Sequence, residues 1–293
     1  MSAVTPEISL RPSGGLRRRR VVNRIMESIG TLAALLAVAV LIIVVTSVAI
    51  RAAPALSWDF FTEPPSLFGA EGGISSALIG SALIVAMATG MALPVGVLIA
   101  IYLTEFAPPR VAAAIQLVLD VLNGLPTIIT GIFVFGLLVV GSGQSAYAGA
   151  FALAIVMLPL VSRAAQEVLL LVPNALREAG LALGVSRWRT VLGVILPTSF
   201  GGILTGTVLA VARAAGETAP LLFTCSIFRP DVSTDVTQAL PNIPVLIFTY
   251  SEQPDPALHE QAWGAALVLM AFVLVASLAA KALLARSRRK LGR

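Results

Sequence analysis

Residues 28–50, SIGTLAALLAVAVLIIVVTSVAI, form an uncharged run of 23 residues between Glu27 and Arg51. As an α-helix rising about 1.5 Å per residue, this run can cross a hydrocarbon core about 30 Å thick. The apolar core of a secretory signal peptide is shorter, at about 7–15 residues. We therefore predict a retained membrane anchor, preceded by a basic tail over residues 1–27.

The composition of the whole chain agrees with a membrane protein. Of the 293 residues, 57% are hydrophobic and only 12% are charged, whereas a soluble domain carries about 25% charged residues. The mean hydropathy is +0.94. So few charges cannot cover a surface that faces water, and we predict that most of this surface faces lipid.

The same composition excludes several classes of enzyme. One cysteine, Cys225, and one histidine, His259, allow neither an intramolecular disulfide nor a His-rich metal site, and they are not expected to form a catalytic pair. The sequence contains no G-x-x-x-x-G-K-[ST] phosphate-binding loop. We expect no catalytic residue, no metal and no cofactor, and any nucleotide must be handled by another chain.

The remaining apolar runs predict an all-α, polytopic fold with six transmembrane helices. They occupy residues 72–104, two spans between Arg110 and Arg163 that divide at 141–145, and then 200–227 and 261–280. Pro94 lies inside the second span and is expected to kink it. The membrane domain is predicted at 28–285, followed by a basic tail at 286–293.

The charges between the spans predict the topology. With the N-terminus in the cytoplasm, all of the 20 lysines and arginines except Arg51, Arg213 and Arg229 fall on the cytoplasmic side, as the positive-inside rule requires. An even number of spans then places both termini there. Because the basic residues flank apolar runs and form no stripe with aromatic residues, nucleic acid is not an expected partner.

The longest cytoplasmic loop, 163–197, is predicted to fold as a helix, a tight turn and a second helix. Pro173 starts the first helix, Gly184 ends it, and Ser186 caps the second. An isolated helix of this length is unstable in water, so we expect a partner protein to hold it. An amphipathic helix lying on lipid headgroups is the alternative.

This loop carries a family signature. Glu178, Ala179 and Gly180, with Gly184 four residues on and V-I-L-P at 194–197, resemble the E-A-A-x3-G-x9-I-x-L-P motif of ATP-binding-cassette (ABC) importer permeases. Gly180 and Val194 replace alanine and isoleucine, residues of similar character. The resemblance implies a type I importer permease whose loop docks on a cytoplasmic ATPase, and predicts coupling roles for Arg177, Glu178, Ala179, Gly180 and Gly184.

Two longer stretches resemble the permeases of the phosphate importer. They are LREAGLALG at 176–184 and ARAAGETAPLLFT at 212–224, and the second is most similar to the A subunit of the permease pair. The resemblance implies one half of the pore of an ATP-driven phosphate importer in the bacterial inner membrane. The implied partners are an ABC ATPase dimer, a second permease, an extracytoplasmic phosphate-binding protein, inorganic phosphate and membrane lipid.

Arg213 and Glu217 stand inside the predicted fifth span, where ionisable residues are costly and usually functional. If Arg213 faces the path, its planar guanidinium can bind two phosphate oxygens. Glu217 would then hold Arg213 or accept a protonated phosphate oxygen, and Thr218 and Thr224 would supply hydroxyl donors. The alternative is a structural Arg213–Glu217 ion pair. The family resemblance implies that both residues are important for transport.

Several alternatives remain open at this point. Asp120 is either part of a water-facing gate or an interfacial helix residue, and the acidic loop at 230–260 is either a receptor for a binding protein or a solvated loop. Within transport, a permease for molybdate or sulfate is the second hypothesis. A passive anion channel has no need of a docking loop, and no catalytic constellation favours an intramembrane enzyme.

Overall fold

The structure is a computed structural model that describes residues 14–65, 72–226 and 232–291. The predicted tails therefore lie partly outside the described residues, at 1–13 and 292–293, and so does the predicted acidic loop, at 230–231. The chain divides into two units, residues 1–50 and residues 51–293. Most of helix α1, Gly14–Ala52, belongs to the first unit. Its 39 residues contain the predicted anchor and are about 58 Å long at 1.5 Å per residue.

Every regular element in the described ranges is helical, so the all-α prediction is confirmed. The second unit contains α2 (Trp58–Thr62), α3 (Ser75–Ile101), α4 (Pro109–Gly124), α5 (Thr127–Val134), α6 (Ala146–Leu170), α7 (Asn174–Ala182), α8 (Arg187–Thr190), α9 (Leu196–Ala214), α10 (Ala219–Thr224), α11 (Ile243–Ser251) and α12 (Pro256–Leu291). Three π-helical segments extend α3, extend α5 and join α8 to α9: Tyr102–Phe106, Phe135–Val139 and Val191–Ile195.

Five helices in the described ranges are long and apolar enough to cross a membrane, and a sixth crossing results if one bent pair counts as a span. The pair is α4 and α5 with its π-helical extension, which are bent by 96°. The break falls at Leu125 and Pro126. A residue before proline is disfavoured in the helical conformation, which explains why α4 ends there. Pro94, in contrast, lies inside α3 without ending it, and Pro159 lies inside α6 in the same way.

Two predicted boundaries need correction. Helix α6 continues to Leu170, so Arg163 lies inside a helix and does not begin the coupling loop. On the other side, α8, the π-helical segment and α9 form one helix from Arg187 to Ala214. The predicted fifth span at 200–227 is therefore not continuous, because α10 begins only after a break at residues 215–218. The first boundary was misplaced because α6 continues through the charged residues Arg163 and Glu167, and the second because the sequence stays apolar across the end of α9.

Small residues allow α6 and α9 to cross closely. A Cβ atom at Gly202 would lie 2.5 Å from Cγ1 of Val168, and one at Gly206 would lie 2.5 Å from Cβ of Ala164. This G-x-x-x-G spacing is typical of closely packed membrane helices. Both contacts fit an antiparallel alignment of α6 and α9. Continued along α9 toward its C-terminal end, this alignment places Arg213 at the same height as Met157, near the middle of α6.

Helix α10 is fixed against the neighbouring elements after the break. A Cβ atom on Gly131 of α5 would lie 2.8 Å from Cα of Pro220, so these helices touch through their backbones. At the other end of α10, the Gln144 side chain accepts a hydrogen bond from the Ser226 amide at 2.7 Å and donates one to the Phe223 carbonyl at 3.2 Å. The break is thus followed by a well-anchored short helix.

Candidate functional site

The first part of the candidate site is the docking segment, which we define as residues 171–190. Helix α7 ends at Ala182, and Gly184 adopts a φ of +73°. The Gly184 amide donates to the Leu181 carbonyl and the Val185 amide donates to the Gly180 carbonyl, each at 3.0 Å. These bonds reverse the chain before α8. The predicted helix, left-handed glycine turn and second helix are confirmed.

Ser186 occupies the N-cap position of α8, as predicted, but its hydroxyl makes no capping bond. Its carbonyl accepts hydrogen bonds from the amide and the hydroxyl of Thr190, at 3.0 and 3.3 Å. The predicted side-chain cap is therefore wrong, and the backbone of Ser186 closes the turn instead.

The motif residues Glu178, Ala179 and Gly180 of α7 face in two directions. Glu178 and Ala179 are exposed, as a docking surface requires. Gly180 instead lies against α8, where an added Cβ atom would be 2.5 Å from Oγ1 of Thr190. Glycine at this position of the motif therefore has a local cause, because Thr190 leaves no room for alanine. The contact with Thr190 fixes the angle between the two short helices.

Arg177 is bound inside the chain. Its Nε lies 3.0 Å from Oε1 of Glu105, its Nη2 lies 2.8 Å from the same oxygen, and only 20% of its side chain is exposed. It also donates to the carbonyls of Leu169 and Val172, at 2.9 and 2.6 Å. The structure thus places Arg177 beneath the docking segment, away from the exposed face on which a partner would sit.

Sequence reasoning missed Glu105 and the contacts beside it. Phe106 and Trp188 stack with ring centroids 4.7 Å apart, and Arg187 donates to the Glu105 carbonyl at 3.4 Å. Together these groups hold the docking segment against the π-helical end of α3. A signal was present in the sequence, since Glu105 is the first charge after the apolar run at 72–104. These contacts within the chain hold α7 in addition to the partner protein that the sequence led us to expect.

The second part of the site is the break between α9 and α10. Arg213 lies in the last turn of α9, where a cation is favoured by the negative end of the helix dipole. The amides of Gly216 and Glu217 donate to the carbonyls of Arg213 and Ala214, each at 3.1 Å, and close the helix. The Arg213 side chain is 57% exposed, so it points out of the packed interior of this chain.

The structure brings Arg213 and Glu217 together, although they do not share a continuous helix. Nε of Arg213 lies 3.9 Å from Oε1 of Glu217, whose side chain is 18% exposed. Thr218 is half-buried at the N-cap of α10, where its hydroxyl makes no capping bond. Thr224 is fully buried, and its hydroxyl donates to the Pro220 carbonyl at 2.8 Å. Because that hydroxyl is used inside the chain, we do not retain Thr224 as a substrate donor.

Asp120 pairs with Arg163, which joins α4 to α6. Both side chains are about half exposed, at 54% and 44%. The pair stands five residues before the break that ends α4. An isolated exposed pair of this kind contributes little to stability, about 0–1 kcal/mol. In the part of the chain that the structure describes, no group of three or more His, Cys, Asp or Glu side chains could hold a metal ion.

The fold and the docking segment define a class of protein, the permease subunit of an importer. Residues 92–291 match the family described as binding-protein-dependent transport system inner membrane component. Two solved structures share the fold: an inward-facing MetNI methionine ABC transporter (TM-score 0.58, 16% identity, 72% of this chain and 96% of that one) and an amino acid ABC transporter (TM-score 0.50, 18% identity, 74% and 92%).

Curated relatives narrow the class. The chain is 38% identical over 258 residues to the phosphate transport system permease protein PstA of Haemophilus influenzae, covering 87% of this chain and 91% of that protein. It is 36% identical to PstA of Xylella fastidiosa, covering 93% and 96%, and 40% identical to PstA 1 of Mycobacterium tuberculosis, covering 71% and 69%. The chain belongs to the PstA family of phosphate transport system permeases, and it is therefore a multi-pass transport subunit and not an enzyme.

Proposed function

We propose that this chain forms one half of the translocation path of an ATP-driven importer of inorganic phosphate in a bacterial inner membrane. The observation that carries the proposal is the exposed Arg213 at the end of α9, within a family of phosphate permeases. An arginine facing lipid at mid-membrane costs about 2.5–3.5 kcal/mol on insertion scales. An exposed arginine level with the middle of α6 therefore faces a water-filled path or another protein chain.

The local chemistry suits an oxyanion. The guanidinium of Arg213 presents a fixed fork of N–H donors that matches two oxygens of a phosphate. Its contact with Glu217 is long, at 3.9 Å, so the arginine is oriented without being fully neutralised. Thr218 follows directly and adds a half-buried hydroxyl at the start of α10. We assign Arg213, Glu217 and Thr218 to the substrate path.

The docking segment provides the surface for an ATPase dimer. Glu178, Ala179 and Leu183 are exposed, and Leu183 is 81% exposed at the end of α7. An apolar side chain this open to water is stabilised when a partner covers it. Gly184 sets the direction of the turn beneath this surface. A second permease chain would complete the path, and an extracytoplasmic binding protein would deliver phosphate to the opposite side.

The proposal is tested by transport with defined components. The complex containing this chain, its ATPase, the second permease and the binding protein is reconstituted in vesicles, and uptake of labelled phosphate is measured with and without ATP. We expect ATP-dependent uptake that excess unlabelled phosphate suppresses. ATP-dependent uptake of molybdate or sulfate, without uptake of phosphate, would replace the substrate and keep the transport class. Uptake that is independent of ATP would instead identify a passive channel.

The proposed topology places both termini and the docking segment in the cytoplasm. Single cysteines at residues 20 and 288, in a chain whose only native cysteine is the buried Cys225, should be protected from an impermeant thiol reagent in sealed cells. A cysteine at Asp235, in the opposite loop, should react. Permeabilising the cells should make the first two reactive. Labelling of residue 288 in sealed cells would contradict the assignment of the C-terminus.

A further inference from the structure

Taken together, the side chains of the Glu105–Arg177 pair are less exposed to solvent than those of each other ion pair of the described residues. The exposed fractions of its side chains are 9% for Glu105 and 20% for Arg177, against about half for Asp120 and Arg163. Both nitrogens of one edge of the guanidinium contact the carboxylate, at 2.8–3.2 Å. A buried two-point contact of this kind restricts both the distance and the orientation of its partners.

One end of this contact belongs to a transmembrane helix. Glu105 lies in the π-helical segment Tyr102–Phe106, which continues α3 without interruption. Helix α3 in turn packs along α6, and a Cβ atom at Gly96 would lie 2.9 Å from Cγ1 of Val161. Because these helices pack so closely, a displacement of Glu105 is passed to the core of the membrane domain.

The other end belongs to the docking segment. Arg177 lies in the first turns of α7, and two of its nitrogens also reach the Leu169 and Val172 carbonyls at the end of α6. The Leu169 carbonyl also accepts a hydrogen bond from the Val172 amide at 3.3 Å, and both carbonyls lie at or just beyond the end of α6, where helical donors run out. One guanidinium therefore joins the docking helix to the cytoplasmic ends of both α3 and α6.

We propose that Glu105 and Arg177 are positioning residues that make the docking helix α7 and the cytoplasmic end of α3 move as one body during transport. The inference rests on the proposed function, because it takes α7 to be the ATPase-docking helix. It assigns Arg177 an internal role in place of contact with the ATPase. The stack of Phe106 on Trp188, with centroids 4.7 Å apart, supports the same connection from α8.

A pair of this kind transmits tension as well as compression. Apolar packing resists compression but separates easily when pulled, whereas a two-point ion pair that is largely withdrawn from water resists both, since separating it leaves two largely desolvated charges without partners. When the ATPase dimer closes or opens, α7 is both pushed and pulled. The ion pair therefore transmits the motion of α7 to α3 both when the ATPase dimer closes and when it opens.

The first test measures whether α7 and α3 move together. Spin labels are attached to cysteines replacing Ala175 on α7 and Leu98 on α3, both exposed, in the assembled complex. We expect the same distance between the labels without nucleotide and with ATP trapped, and a shifted or broader distribution in Glu105→Ala on trapping ATP. A distance that changes in the unmodified pair, or one that stays fixed in Glu105→Ala, would overturn the proposal.

The second test measures coupling. Glu105→Ala and Arg177→Met should lower the phosphate taken up per ATP hydrolysed about tenfold, within the usual range of coupling energies, while ATP hydrolysis by the purified complex continues. Glu167→Ala, which removes an exposed carboxylate near the end of α6, is the matched control and should leave the ratio unchanged. A normal ratio in assembled Glu105→Ala complexes would refute the link.

Two outcomes, a variant that fails to assemble and a complex that takes up no phosphate, are distinguished from failure of the proposed link. If Glu105→Ala does not assemble, Arg177→Met removes the same contact from the other side, and a normal ratio together with unchanged label distances in that variant would reject the proposal. If the unmodified complex hydrolyses ATP but takes up no phosphate, the proposed substrate is wrong. The label distances still test the link in that case, because they require only the complex and ATP.

Discussion

Replacing Arg213 with lysine should lower phosphate uptake about 30-fold, because the substitution keeps the charge but loses the planar fork. The loss of one charge-assisted hydrogen bond is worth about 2 kcal/mol, and 1.4 kcal/mol corresponds to a factor of ten. Arg213→Met, which also removes the charge, should lower uptake more than about 100-fold. Labelled-phosphate uptake per assembled complex is the measurement, and the amount of co-purified ATPase reports assembly.

A double replacement separates this role from a structural ion pair. If Arg213 served only as the partner of Glu217, replacing both with apolar residues of similar size, Arg213→Met with Glu217→Leu, would restore assembly and uptake together. If Arg213 meets phosphate in the path, the double variant assembles but takes up no phosphate, since no cationic donor offsets the lost hydration of the ion. Uptake at the level of the unmodified complex in the double variant would defeat the assignment.

A second large effect is expected at Gly184. Its φ of +73° is unfavourable for any residue with a Cβ atom and most of all for a β-branched one. Valine at this position should cost about 1–3 kcal/mol of local strain and shift the direction of the turn after α7. We expect Gly184→Val to insert into the membrane normally, to lose most phosphate uptake, and to leave ATP hydrolysis uncoupled from transport.

Two control variants identify the backbone as the cause. Asparagine adopts the left-handed conformation more readily than other residues, so Gly184→Asn should keep most of the uptake. Gly193 lies nearby with open space around it and no positive φ, and Gly193→Val tests the effect of added bulk alone. Equal losses in Gly184→Val and Gly193→Val would mean that the turn conformation is not the cause.

Local sequence signals predicted much of this fold. Uncharged runs located most of the membrane helices, although not the bounds of the fifth, and Gly184 located the turn of the docking segment, since each feature depends on residues that are close together in the chain. The break after Gly124 also leaves a signal in the sequence, since Asn123 and Gly124 stand just before Leu125 and Pro126. The end of α9 was not visible, because Ala214 and Ala215 continue the apolar pattern and the helix ends through backbone hydrogen bonds alone.

Contacts between distant residues were the part that sequence could not supply. Arg177 belongs to a motif that suggests contact with a partner, yet its carboxylate partner is 72 residues away along the chain. Nothing in the local pattern of either residue specifies that pairing, which depends on where α3 ends relative to α7. The same holds for Thr224, whose hydroxyl is polar in sequence but is used by its own helix.

The π-helical segment Val191–Ile195 determines how far Arg213 is rotated about the helix axis relative to the docking segment. It lies between α8, which packs on the docking helix, and α9, which carries Arg213. Each residue of an α-helix turns the chain by about 100°, and a π-helical turn accommodates one residue more than an α-helical turn. If the segment adopted regular α-helical turns with all five residues kept, the extra residue would no longer be absorbed, and Arg213 would rotate by about 100° around the helix axis. The guanidinium would then face a different neighbour, with every side chain of α9 still present.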